Sequence, residues 1–157
     1  MHRAKKTRIL GAMKRAGVVC IMILAFCGLS DSAYIAQHET QNASSLICDV
    51  KNFSGCNIVA TSSYSHFFGI PIADYGIAFY SVIFILAALE LVFFSMLLRR
   101  LLQGISLIGV VASLYFSYLE FFVIREICIF CIASAAIALV TLIVASFIEP
   151  FRIRQRL

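Results

Sequence analysis

Four apolar runs, each close to the length of a bilayer crossing, constrain this chain more than anything else in it. A membrane-spanning helix needs about 20 mostly apolar residues. The segments at about 16–36, 76–98, 101–124 and 127–148 meet or approach that requirement. They are too long for strands and do not alternate. Interruptions are few: Ser30 and Asp31 late in the first run, Glu90 in the second, Gln103 and Glu120 in the third, and no charge in the fourth. Apolar residues make up 62% of the 157 and charged residues 13%, and a water-soluble fold of this size cannot hide that much apolar surface. A soluble enzyme and a disordered chain are both excluded. The reading is an all-α membrane protein, a four-transmembrane-helix bundle forming a single membrane domain over 1–157.

The basic residues set its orientation. Arg3, Lys5, Lys6, Arg8, Lys14 and Arg15 precede the first run, Arg99 and Arg100 separate the second and third, and Arg152, Arg154 and Arg156 follow the fourth. With four crossings all of these fall on one side, leaving Lys51 and Arg125 on the other. Lys and Arg mark the cytoplasmic face, so both termini are expected there, with an outer loop over about 37–73. The formal net charge of +5 is therefore a signature of sidedness, and no nucleic acid is expected as a partner. The first run has a rival reading as a secretory signal peptide, because a basic start and a short apolar stretch lead into Ser30-Asp31-Ser32-Ala33. The turns between the second and third runs, and between the third and fourth, are read as two residues each.

Of the six cysteines, Cys20 and Cys27 lie within the first run and share a helix face. Buried thiols there act as small hydrophobes, or alternatively line a metal path. Cys48 and Cys56 lie in the outer loop, and Cys128-Ile129-Phe130-Cys131 opens the last run. Two pairs thus converge on one face, the oxidising one in a bacterial envelope or an ER lumen. A Cys-x-x-Cys at a helix start suits thiol–disulfide exchange, since the helix dipole favours thiolate on the first sulfur. The second sulfur lies about 4.5 Å deeper, at the bilayer edge, where a lipid-soluble oxidant can reach it. The plain alternatives are packing cysteines for Cys128 and Cys131, a static staple for Cys48 and Cys56, and a structural zinc site using all four.

After Cys56, Asn57 is a fair N-cap, Gly69 a residue for the position beyond a helix end, and Pro71 a stop. A short interfacial helix over the bundle mouth is expected between them. Glu120 lies about one turn inside the third run, where a carboxylate is functional by default or neutral, and could move protons near the oxidant. Glu90 is deeper, with no role read for it beyond helix–helix hydrogen bonding. His66 reads as solvated. Asn42-Ala43-Ser44 and Asn52-Phe53-Ser54 are glycosylation sequons, of consequence only in an ER protein.

Cys48-Asp49-Val50 with Cys56 eight positions on, Ser62 followed by Gly69-Ile70-Pro71 and Gly76, and Cys128-Ile129-Phe130-Cys131 at the start of the last span together resemble the vitamin K epoxide reductase (VKOR) family, in its bacterial stand-alone form. The resemblance covers about 16–148. In the DsbB family, also of four spans, the Cys-x-x-Cys lies in the first outer loop, whereas here it comes last. The resemblance implies that Cys128 and Cys131 are the active-site pair, with Cys131 nearest the quinone. Cys48 and Cys56 would be shuttle cysteines, with Cys56 exchanging with Cys128. Ser62 would hydrogen-bond the quinone or its neighbourhood. It further implies a quinone (ubiquinone or menaquinone) as electron acceptor, no metal, and a bacterial inner-membrane location with the active site on the periplasmic face. Without the fused thioredoxin-like domain of many bacterial relatives, the chain is expected to use a separate DsbA-like thioredoxin-fold partner. Ser134-Ala135 stands where vertebrate members have Thr-Tyr, which favours plain quinone reduction over epoxide reduction. A competing reading is a heavy-metal uptake protein, in which Cys20 and Cys27 line the route.

Overall fold

The computed structural model describes residues 2–40, 59, 62 and 65–148. Cys48, Cys56, Lys51, both sequons, most of the expected outer loop and the basic cluster at 152–156 lie outside the described residues. Helix α1 (His2–Thr40), helix α2 (Ile72–Phe93), helix α3 (Met96–Tyr118) and helix α4 (Ile129–Ile148) follow one another up and down. Within them Gly11–Gln37, Ile72–Phe93, Met96–Ile124 and Ile129–Ile148 are long and apolar enough to cross a membrane. Helix α1 packs mainly on α2 and α3 on α4, while α1 against α4 and α2 against α3 close the ring.

The core is built from residues that let the helices approach closely. Ile21, Ala25, Ile83 and Ala87 are fully buried, with Val18, Leu102, Ala145 and Ile148 around them. In a bilayer the lipid tails are as apolar as the core, so close packing of small residues rather than hydrophobic exclusion holds helices together. The outward faces fit that solvent: Ile23, Phe26, Val92, Leu114 and Phe147 are all exposed. Two of the polar side chains inside the bundle find internal partners, which lipid cannot supply. Gln103 Nε2 donates to the Ala145 carbonyl at 3.2 Å, and Thr141 Oγ1 donates to the Ile137 carbonyl at 2.7 Å.

Three details differ from the sequence reading. Helix α2 ends at Phe93, not near Leu98, because Phe94 takes a left-handed conformation (φ 46°) and its N–H donates back to the Glu90 carbonyl at 3.0 Å. Arg99 and Arg100 consequently are the fourth and fifth residues of α3 rather than lying between helices. Arg99 Nε donates to Oε1 of Glu90, which is 1% exposed. Lys14 and Arg15 of α1 line a small cavity of about 160 Å³ with this pair. The connection from α3 to α4 occupies residues 125–128 rather than two positions. Finally, Val59 is helical, but Gly69 does not end a helix. Strand β1 (His66–Phe67) pairs antiparallel with strand β2 (Ile70–Pro71) around Phe68 and Gly69. Both turn residues have positive φ, 53° and 79°, as the tightest hairpin turn demands.

Candidate active site

The end of the bundle opposite the Glu90–Arg99 pair carries the Cys-x-x-Cys. The Ile132 N–H donates to the Cys128 carbonyl at 3.1 Å, which makes Cys128 the N-cap of α4 and puts Cys131 three positions on, in its first turn. Both are thiols rather than a disulfide. Their sulfurs are within hydrogen-bonding reach of each other. Cys128 is 3% exposed and Cys131 partly buried. Tyr34, Val59 and Phe130 pack over the pair, with the Tyr34 and Phe130 rings 5.3 Å apart.

The neighbouring helix delivers a carboxyl to these thiols. Past Tyr118, α3 widens into a π-helical segment, Leu119–Ile124, which ends in left-handed Arg125. Such widenings cluster at functional sites because they re-aim side chains. Glu120, 3% exposed, is turned toward α4, where its carboxyl lies close enough to the Cys131 thiol and the Cys128 backbone N–H to interact with both. The N–H of an N-cap residue has no intrahelical partner, so Glu120 is placed to satisfy it from outside, as the N3 carboxyl of a capping box does from within.

Cys128, Cys131 and Glu120 open onto a cavity of about 400 Å³ enclosed by all four helices. Its wall is mostly apolar, from Phe79, Ile108 and Phe116 among others. At its rim the Ser62 hydroxyl donates to the Val59 carbonyl at 2.7 Å. The Ser65 hydroxyl donates to the Ser62 carbonyl at 2.9 Å, and the Ser65 carbonyl accepts from the Ile72 N–H at 2.9 Å. This ladder ties the rim to the start of α2. Ser62 thus lines the cavity, with its proton committed to the rim and its oxygen available as an acceptor. His66 Nδ1 lies 2.9 Å from Ser65 Oγ and does not line the cavity. Cys20 and Cys27 are exposed on α1, away from the cavity. No group of three or more metal-ligating side chains occurs among the described residues.

The sequence reading missed the cavity floor. There the Tyr80 hydroxyl donates to the Ser134 carbonyl at 2.9 Å and lies 2.8 Å from Ser134 Oγ, with Asp31 beside it. An acidic residue inside an apolar run is a functional signal on its own, so Asp31 was findable. Tyr80 carries no mark that separates it from the other five tyrosines.

The dithiol at a helix start, the carboxyl beside one sulfur and the apolar chamber among four membrane-length helices together make this end of the bundle the candidate redox site of a multi-pass membrane protein. The model of the vitamin K epoxide reductase family matches residues 19–146, from the first turns of the α1 span almost to the end of α4. The chain belongs to the VKOR family, and is a membrane thiol oxidoreductase of that quinone-associated group.

Proposed function

We propose that this protein generates disulfides by coupling a thioredoxin-fold partner to a membrane quinone. Reduced partner thiols pass two electrons to the Cys48–Cys56 disulfide. That dithiol reduces the Cys128–Cys131 disulfide. The Cys128–Cys131 dithiol then gives two electrons and two protons to the quinone substrate, leaving disulfide and quinol. The observation that carries this reading is the Cys128–Cys131 pair opening onto an apolar chamber of about 400 Å³, within the usual range for a small-molecule site. A quinone head fits its chemistry: a flat apolar ring for the aromatic wall and polar groups for its oxygens.

Two further points support the relay. Val59 packs on Cys128 and follows Cys56 by three positions, a tether of at most about 11 Å. DsbA-type oxidases lie near about −120 mV, so their re-oxidation needs a strongly oxidising acceptor, which a respiratory quinone supplies. The basic residues that the sequence carries before the first span, between the second and third and after the fourth favour cytoplasmic termini and a site on the outer face, and the family's bacterial stand-alone form suggests a bacterial inner membrane with that site periplasmic. In the test, purified protein is given a reduced thioredoxin-fold oxidase and a short-chain ubiquinone or menaquinone without oxygen. Partner oxidation that depends on quinone and is lost in Cys131→Ser supports the reading, and partner oxidation indifferent to quinone defeats it.

A further inference from the structure

Helices α1 and α2 meet through two glycines beneath the cavity. A Cβ on Gly28 would lie 2.5 Å from the Tyr80 ring, and one on Gly76 would lie 2.5 Å from Ser32 Oγ. The Tyr80 ring therefore lies directly against α1, one turn from Asp31 and Ser32. Its hydroxyl reaches across to Ser134 of α4. Ser134 follows Cys131 by three positions on the same helix, about 4.5 Å deeper. Asp31 is close enough to Tyr80 for the two to interact electrostatically. Its Oδ2 is buried with no hydrogen-bond partner among the described residues, and Asp31 lines the cavity. An orphaned buried carboxyl oxygen is costly, and a ligand that accepts from or donates to it removes that cost.

We infer that Asp31, Tyr80 and Ser134 form a second polar pole of the substrate chamber: on quinone binding Tyr80 turns its hydroxyl proton from the Ser134 carbonyl to the quinone oxygen remote from the thiols while accepting from the Ser134 hydroxyl 2.8 Å away, and Asp31 protonates that quinone oxygen. This rests on the quinone reading above. Oxidation of the Cys128–Cys131 dithiol breaks two S–H bonds, forms one S–S bond and releases two electrons and two protons. The Cys131 proton goes by way of Glu120 to the near quinone oxygen. The far oxygen takes its proton from Asp31. Water at the cavity mouth receives the Cys128 proton and returns one to Asp31, so the sum is dithiol plus quinone to disulfide plus quinol.

The test uses the full-length protein in nanodiscs with a short-chain ubiquinone. Tyr80→Phe should raise the equilibrium Kd about fivefold to tenfold, the worth of one neutral hydrogen bond. Asp31→Asn should slow quinol formation in a single turnover by about 100-fold or more, the scale of a lost proton donor, and Asp31→Glu should restore most of it. A third readout needs no turnover. Protein labelled with carbon-13 at the aspartate carboxyl should give an infrared difference band on quinone binding, since Asp31 gains a partner, and the band should be missing in Asp31→Asn. Wild-type binding without an aspartate band, with both variants behaving as wild type, overturns this inference alone. No quinone binding by wild type overturns the parent reading and this inference with it.

Discussion

The carboxyl of Glu120 and the thiol of Cys131 meet across the junction of α3 and α4. The π-helical turn at Leu119–Ile124 makes the meeting possible by re-aiming the end of α3 toward the first turn of α4. In the proposed relay that carboxyl is the proton acceptor for the Cys131 thiol, in place at the chamber that both residues line before any substrate arrives.

Replacing that acceptor by an amide should separate proton transfer from positioning. Glu120→Gln retains hydrogen-bonding atoms beside Cys131 and Cys128 but cannot take the proton. Quinone-linked oxidation of the dithiol should slow by about 100-fold or more, with folded yield little changed. Rapid-mixing single-turnover kinetics measure this directly. A Glu120→Gln rate within threefold of wild type would make Glu120 a structural cap of α4 and nothing more.

Cys131→Ser should leave Cys128 without a resolving thiol, so a Cys56–Cys128 mixed disulfide should accumulate and appear by peptide mapping under non-reducing conditions. Cys48→Ala should abolish turnover with a protein partner while sparing reduction by dithiothreitol, which reaches the inner pair itself. Full activity of Cys48→Ala with the protein partner would reduce the outer pair to a staple.

The four helices were legible because runs of about 20 apolar residues admit little else, and Cys128 and Cys131 were legible from their spacing at a helix start. The α2–α3 turn was not. Arg99 and Arg100 read as loop charges, yet Arg99 is drawn to the bundle by buried Glu90, a pairing nine residues apart that no local pattern announces. Nor does a glycine or proline mark the break, which a left-handed Phe94 makes instead. The segment 57–69 misled for a related reason. Gly69 suits both a helix end and a hairpin turn, and the choice rests on the pairing of His66–Phe67 with Ile70–Pro71. The floor of Asp31, Tyr80 and Ser134 joins three helices and 103 positions of chain, so it exists only once the bundle is assembled.

Gly28→Ala should destabilise the bundle and distort the chamber together, because the new methyl group meets the Tyr80 ring, itself held between α1 and Ser134. Overpacking of this kind costs about 1–3 kcal/mol, seen as a lower thermal-unfolding midpoint in detergent. Gly11, with nothing within 4 Å of a Cβ, is the control: Gly11→Ala should leave the midpoint unchanged or slightly raised.

At the opposite end, breaking the buried Glu90–Arg99 pair should affect stability rather than chemistry. Arg99→Ala strands the Glu90 carboxyl, a change that costs about 3–5 kcal/mol in comparable buried pairs. Glu90→Leu combined with Arg99→Leu should cost less than Arg99→Ala alone, since no buried charge remains. Thermal unfolding of the single and double variants checks this, and the surviving folded protein should keep its turnover per molecule.

The most direct test is a single turnover without oxygen. Pre-reduced protein in nanodiscs, freed of small thiols, is mixed with excess short-chain quinone, and quinol is followed optically while quenched samples are mapped for disulfides. One quinol per protein from the inner pair, rising at the same rate as the Cys128–Cys131 disulfide and absent in Cys131→Ser, is the predicted result. Formation of that disulfide with no quinol, or of quinol at an unchanged rate in Cys131→Ser, would contradict the claim that this pair reduces a quinone in the chamber it faces.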